Sequence, residues 1–419
     1  MLQVNLKDRL ALIKSDREKN HQMPHGKRSM PEGWTEISPF VWMREEDRPF
    51  IEVPLFFSPH LMRATVPRGD QDNGEFQSVQ VSPIPADRIA FFDLETTGLS
   101  GGSGTIAFLS TVAHFEGTDL VLRQTFLEDY PGEHDFLVAV ISQLANVDWI
   151  ASYNGATFDV PLLQARCVLN RIAMPLVRHI DVLHDCRRFW GRMVLSCSLT
   201  SMEALVLKKE RESDIPGALV PRVWLDYVKA DVPREDQQAL ISLVWQHNVQ
   251  DVASLAELFL VVESAYRRPS NAVVRYAIDP SGLARNLLKM GRSGEAKSIL
   301  LMVRDNAEMF ELTSGARMRA MRHLASIAWK ERNRTLYVET VLAMDDESLY
   351  GCVAKAKLCE HFFKDEKSAL AWAQKARDIA GKGSQADRRN TQGLDLESLD
   401  HRIARLERKI AKKNSLAEL

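Results

Sequence analysis

The apolar run Ile89–Phe92 ends on two acids, Asp93 and Glu95, followed by Thr96-Thr97-Gly98-Leu99. A short uninterrupted apolar run reads as a buried strand. Alternation along a strand sends residues i and i+2 to one face, so both carboxylates point the same way. Two like charges held side by side away from water repel, and a divalent cation is the usual neutraliser. A chain with such a strand must bring the end of a sheet core up against other groups able to settle that charge.

The surrounding pattern is α/β. Thr105–Phe115 and Leu120–Leu127 read as strands joined by a turn at Gly117–Thr118, and Trp149–Ser152 as a further strand. Helices fit Glu133–Asn146 and Val160–Ile172. Asp159 follows the strand Trp149–Ser152 within Asn154-Gly155-Ala156-Thr157-Phe158-Asp159, where an aspartate either enters a site or caps the next helix. A long helix is expected over Glu235–Val261, with Leu240, Val244, Leu255 and Leu258 as its apolar stripe. His247 and Asp251 fall one turn apart in the middle of that stripe. A histidine there is ordinarily a satisfied core residue, whereas an aspartate beside it needs a partner.

Residues 1–86 read as an N-terminal extension, a helix near 5–18 and then a Pro-punctuated stretch carrying Trp34, Phe40, Trp42, Phe50, Phe56 and Phe57. That composition predicts an extended arm that packs on something else. Beyond Pro280 the strand signals vanish, and paired helical patterns recur at roughly the spacing of the 34-residue tetratricopeptide unit. About three helix pairs are expected over 275–382, with Ala356, Ala369, Ala373 and Ala376 as small residues that let helices approach. Leu396, Leu399, Ile403, Leu406 and Ile410 mark a final amphipathic helix over 394–414 that would cap the array.

A chain of 419 residues, 45% hydrophobic, buries a full core and is expected to form two or three domains. The N-terminus lacks the apolar stretch of a secretory signal, and no run approaches the ~18 apolar residues of a membrane span. The five cysteines, Cys167, Cys186, Cys197, Cys352 and Cys359, are odd in number and form no CxxC pair. A disulfide framework and a structural zinc site are therefore not expected, and a cytoplasmic location is. The formal net charge of −2 argues against bulk electrostatic binding of nucleic acid but leaves room for a local groove. Six arginines against two aspartates between Arg166 and Arg192, followed by Lys208, Lys209 and Arg211, read either as a phosphate-tracking surface or as a solvated helix face.

FDLETTGL at 92–99, NxxxFD at 154–159 and the acidic helix at 247–251 resemble, in order and placement, the three motifs of DEDD (DnaQ-type) exonucleases. Three strands, a helix, a strand and another helix is likewise the order of a ribonuclease-H-like mixed sheet. The stretches HIDVLHDCRRFW and SCSLTSMEALVL, with Arg211-Glu212-Ser213-Asp214-Ile215-Pro216-Gly217, narrow the resemblance to the YprB-type, or mitomycin repair factor B-like, subgroup. It covers nearly the whole chain, most weakly at 1–85 and 385–419.

The resemblance implies an exonuclease domain over 87–268, followed by tetratricopeptide-like helical repeats. It implies two Mg²⁺ or Mn²⁺ ions held by Asp93, Glu95, Asp159 and Asp251, set ~4 Å apart to clamp the attacking and leaving oxygens of a phosphodiester. His247 would be the general base. The superfamily places a Tyr four residues, or a His five residues, before the last Asp; here a His stands at four. Thr97, Gly98, Leu99, Asn154 and Phe158 would border the terminal nucleotide. Arg211 and Asp214 are expected to fix a loop by ion pairing, and Asp181 to support the site or cap a helix. The implied activity is 3′→5′ hydrolysis of DNA in repair, with RNA the alternative substrate and a helicase a candidate protein partner of the repeats. A reading from another class is a non-catalytic scaffold binding a partner through its helices.

Overall fold

The computed structural model describes residues 30–50, 53–58, 83–98, 104–211, 214–230, 235–306, 310, 312–382 and 395–417. The helix expected near 5–18, Leu99 and residues 101–103 lie outside them. The chain divides into two compact units, one comprising residues up to His184 with Ser198–Leu260, the other Asp185–Cys197 with the chain from Val261 onward.

The first unit is built on a seven-stranded mixed sheet. Its strands are β1 (Thr35–Ser38), β2 (Val41–Pro49), β5 (Ile89–Thr96), β6 (Ala107–Glu116), β7 (Asp119–Leu127), β8 (Trp149–Ser152) and β9 (Arg178–Asp181). They lie in the order β1-β2-β7-β6-β5-β8-β9. The pairs β5–β8 and β8–β9 are parallel, and the rest antiparallel. A separate two-stranded ribbon joins β3 (Phe56–Phe57) to β4 (Ile84–Pro85). The acid-bearing strand β5 is thus an inner strand flanked on both sides. It runs through Thr96, so Asp93 and Glu95 sit within the strand and not beyond its end.

In its described residues the stretch read as an extended arm contributes strands, and β2 is hydrogen-bonded along its whole length to β7, from Val41↔Leu127 to Pro49↔Asp119. Its charged sequence, VWMREEDRP, suits a strand because the charges find cross-strand partners. Arg44 donates to Gln124 at 2.9 Å and Arg123 to Glu45 at 2.6 Å. Trp34 packs on Trp245 with ring centroids 4.8 Å apart. The helices α1 (Glu133–Gln143), α2 (Asp159–Leu169), α3 (Val182–Phe189), α4 (Val220–Lys229) and α5 (Glu235–Arg267) complete the α/β part, α3 and α5 each running from one unit into the other. Strand β9 and helix α4 had no counterpart in the sequence expectations.

One face of the sheet is fastened to α5 by aromatic rings. Phe259 meets Phe57 at 4.9 Å and Phe91 at 5.3 Å between centroids, and Phe91 meets Phe115 at 5.2 Å, all edge-to-face. Phe57, Phe91 and Phe259 are fully buried. Phe91 shares its side of β5 with Asp93, so the same helix that closes the core also faces the acids. The apolar stripe of α5 differs from the expected one at a single place. Leu240 is 44% exposed and the buried position is Ile241, next along the chain.

In the second unit α6 (Pro280–Lys289) pairs with α7 (Ser293–Asp305), α8 (Ser314–Lys330) with α9 (Arg334–Leu342), and α10 (Leu349–Leu358) with α11 (Glu366–Lys382). The first helices of the pairs begin at Pro280, Ser314 and Leu349, offsets of 34 and 35 residues. Each pair turns through a residue of positive φ, Gly291, Arg332 and Lys364 in turn. There the backbone closes back on the last turn, as Arg292 N to Leu287 O and Asn333 N to Ala328 O. Ala356, Ala369, Ala373 and Ala376 are fully buried. Leu406 of the last helix, α12 (Leu396–Ala417), packs among Ala356, Ala369 and Ala373. Arg402, Arg405 and Lys409 of α12 converge on the buried carboxylate of Glu360. All five cysteines are free thiols.

Replacing Phe259 with Ala should lower the stability of the first unit by ~3–5 kcal/mol, the usual cost of deleting a buried aromatic ring. Urea unfolding followed through the unit's tryptophans measures it; a loss below ~1 kcal/mol would show that α5 is held elsewhere.

Candidate active site

Asp93 and Glu95 stand on one side of β5 against the middle of α5. The Asp93 carboxylate is aimed by Asn248, whose Nδ2 donates to Oδ2 at 2.7 Å. Asn248 is fully buried and is itself held, since its Oδ1 accepts from Thr111 Oγ1 at 2.5 Å. Thr111 accepts from Gln124 Nε2 at 3.1 Å, and Gln124 also donates to the carbonyl of Trp245 at 3.0 Å. A relay of buried amides and a hydroxyl thus runs from β7 through β6 to α5 and ends on the first acid. Sequence reasoning missed Asn248 and Gln124, because a buried amide has no periodic signature.

Asp159 is the first residue of α2, and no side-chain hydrogen bond caps that helix. The capping alternative is therefore not what the structure shows. The turn that presents Asp159 is shaped by Asp181 at the end of β9. Its carboxylate accepts from the backbone N of Asn154 at 2.9 Å, Leu183 at 3.1 Å and Ala156 at 3.3 Å. Asn154 takes a left-handed φ of 67°. At Gly155 a Cβ would lie 2.4 Å from Ser152 Oγ and 2.9 Å from Asp159 Oδ2, so only glycine fits.

His247 Nδ1 lies 2.5 Å from Asp214 Oδ1. A carboxylate only accepts, so the Asp214 contact is met by a proton on Nδ1, while Arg211 Nη1 stands 3.2 Å from the same nitrogen. Nε2 points toward the acids, 3.6 Å from Asp251 Oδ2 and 3.9 Å from Glu95 Oε1. Arg211 closes the arrangement. Its guanidinium donates to both oxygens of the buried Glu203, at 2.7 and 2.8 Å, to Asp214 at 3.1 Å and to Asp251 Oδ1 at 2.5 Å. The expected Arg211–Asp214 pair is present, and it also reaches Asp251 and His247 of the acid cluster.

The electrostatics follow from this packing. Burial, then the charges of Asp159, Asp251 and Glu95, push Asp93 well above the usual carboxylate range. Burial, then Asp251 and Asp159, do the same to Glu95. Burial and Asp181 push Asp159 up to about 7. Burial also raises Asp251, against the opposing pull of His247 and Arg211. Asp214 goes the other way, since its bonds and charge interactions with His247 and Arg211 outweigh its burial.

A set of carboxylate oxygens whose ionisation is resisted by mutual repulsion suits a hard divalent cation. The donor chemistry therefore fits, although among the described residues no three His, Cys, Asp or Glu groups are placed closely enough to hold an ion. A positive charge already stands at the cluster, the guanidinium of Arg211 seated on Asp251.

Of the expected substrate contacts, Thr97 Oγ1 accepts from Ile106 N at 3.1 Å and Thr96 Oγ1 donates to the carbonyl of Gly98 at 2.9 Å. Both bonds brace the end of β5. Asn154 and Phe158 flank the turn before Asp159, and Leu99 is outside the described residues. The arginine-rich run is divided between the two units. Arg166 is bound to Glu133 at 2.5 Å, Arg178 lies over Trp149, and Arg187, Arg188 and Arg192 belong to the second unit.

Residues 90–262 match a family described as RNase_H superfamily. The chain carries an RNase_H-superfamily domain. It includes every acid of the cluster, and the RNase H-like fold implies nucleic-acid binding by proteins that usually hydrolyse their ligand. Such nucleases typically use divalent metals. The chain is also 29% identical over 328 residues to the uncharacterized protein YprB of Bacillus subtilis (strain 168), spanning 76% of this chain and 74% of that protein. Among the described residues no helix is long and apolar enough to cross a membrane.

A carboxyl whose pKa is raised on folding contributes full stability below its unfolded value and loses it as pH rises. For Asp159 that window runs from 3.8 to about 7. In EDTA, Asp159→Asn should therefore unfold at a higher temperature than the parent at pH 8 and at about the same temperature near pH 4. Equal pH slopes for the two proteins would contradict this electrostatic account.

Proposed function

We propose that this protein is a metal-dependent exonuclease of the DEDD type that hydrolyses DNA in the 3′→5′ direction in a repair setting. The observation that carries the reading is the gathering of Asp93, Glu95, Asp159 and Asp251, with their ionisation opposed by burial, beside a histidine whose Nε2 faces Asp251 and Glu95. The similarity to YprB supports the YprB-type assignment, and the 34- and 35-residue offsets of the helix pairs support tetratricopeptide-like repeats over 275–382. On this reading the exonuclease domain spans 87–268, with 1–86 as its N-terminal extension and 394–414 as the capping helix.

Asp93, Glu95, Asp159 and Asp251 would hold two Mg²⁺ or Mn²⁺ ions, which when bound stabilise charge on the scissile phosphate. The residues of the chain do the rest. Asn248 keeps Asp93 turned to the site, and Asp181 keeps the turn carrying Asp159 in place. Asp214 fixes the tautomer of His247, so that Nε2 can take the proton from an attacking water. Glu203 anchors Arg211, and Arg211 holds Asp251. Thr97, Gly98, Leu99, Asn154 and Phe158 border the terminal nucleotide, Phe158 by stacking. The helical repeats offer a surface for a protein partner, a helicase by family analogy.

One contact favours a competing reading. Arg211 Nη2 takes Asp251 Oδ1, an oxygen that a cation would need, as in a scaffold whose nuclease fold no longer acts. A time course on 3′- and 5′-labelled DNA and RNA, single- and double-stranded, with Mg²⁺, Mn²⁺ or EDTA, separates these readings and identifies the polymer. Shortening from the 3′ end is expected, abolished by EDTA and by Asp93→Ala. Activity surviving both treatments would sink the proposal, and no activity with any metal would favour the scaffold.

His247→Ala should lower kcat by ~10²–10⁴-fold, the range for a lost general base, while nucleic-acid binding stays within about twofold. Unchanged turnover would remove His247 from the mechanism.

A further inference from the structure

The second unit contains a cavity of about 340 Å³ that the nuclease reading does not use. It is lined from α8 by Arg322 and Trp329, from α9 by Tyr337, from α10 by Tyr350 and Lys357, and by Phe362 just beyond α10. Its rings form a connected set. Tyr337 and Phe362 are stacked with centroids 5.3 Å apart and planes 24° apart, and Trp329 lies 5.3 Å from Tyr337. Rings that serve only to pack helices together are covered, yet Trp329 remains 60% exposed beside this stack. Among the described residues no aspartate or glutamate lines the cavity.

The cations here are also uncommitted. Arg322 and Lys357 form no ion pair or hydrogen bond among the described residues, and Arg322 instead lies 4.2 Å above the Tyr350 ring. The nearby acids are taken, Glu331 by Lys297, Glu339 by Arg304 and Glu360 by Arg402, Arg405 and Lys409. A wall of flat rings with unpaired cations at its edge suits a ligand that is planar in one part and anionic in the next. Single-stranded nucleic acid has that alternation, and duplex hides its base faces. An acidic peptide would answer the charge but leave the exposed ring stack without a match. The volume is that of a small ligand site, enough for about one nucleotide.

We infer that the cavity bounded by Trp329, Tyr337, Phe362, Arg322 and Lys357 is a binding site for single-stranded nucleic acid, in which a base stacks on the rings and Arg322 and Lys357 take the flanking phosphates. The site lies within the second unit and does not need the acid cluster to be catalytic.

The test uses the full chain carrying Asp93→Ala, in EDTA, so that cleavage plays no part. Hydrogen exchange is measured with and without short oligothymidylate or oligouridylate, beside anisotropy titrations of the labelled oligomers. Slowed exchange within 314–363 is the expected signal. Trp329→Ala should remove that protection and weaken binding by roughly tenfold, the range for a lost stacking platform. The exposed position of Trp329 spares the core, and Arg322→Glu with Lys357→Glu should weaken binding independently and flatten its salt dependence. Oligouridylate against oligothymidylate tells which polymer is preferred. No protection within 314–363, unchanged affinity in both variants, or equal protection by a polyglutamate peptide would each overturn the inference. Because cleavage is not measured, failure of the nuclease reading leaves this result interpretable.

Discussion

Four largely buried carboxylates repel one another, and much of the first unit is arranged around tolerating that repulsion. Asp93 and Glu95 cannot retreat, since their strand is paired with β6 at both positions and is held by β8 just before them, at Ile89–Phe91. Asp251 is fixed by a helix fastened to the sheet through Phe259. What compensates is polar and local: the Asn248 amide on Asp93, the Arg211 guanidinium on Asp251, and the Asp214–His247 pair beside them. Arg211 can hold its place only because Glu203, itself buried, binds both sides of its fork. Removing any one partner would leave a charge in a place where water cannot fully replace it.

The parts of the site visible in the sequence are those that periodicity reports. The i, i+2 spacing of Asp93 and Glu95 and the one-turn spacing of His247 and Asp251 each imply a shared face, and the elements predicted for them formed. The helix pairs beyond Pro280 were legible for the same reason, as were the small residues between them. Leu240 was misplaced because a helical stripe can slide by one residue without disturbing the pattern, and only packing shows that Ile241 is the buried one.

The rest was hidden because its partners are distant in sequence. Strand β2 looks like a polar linker until Arg123 and Gln124 of β7 are set opposite its charges. Asn248 is one polar residue among several on α5, and its role depends on Thr111, 137 positions away. Arg211 and Asp214 were noticed as a pair, yet their place among the acids required a fold that carries them to α5. Capping and metal-site readings of Asp159 stayed equal in sequence, because each needs the same residue at the same helix start.

The three backbone amides gathered by Asp181 have a further meaning. They hold the turn from Asn154 to Asp159 in one shape through bonds that involve neither a ligand nor another acid of the cluster. The geometry around Asp159 is thus set when the chain folds and does not have to be rebuilt at every binding event. If the acids do hold a cation, the contact between Arg211 and Asp251 is the part of the site that would still have to open for it.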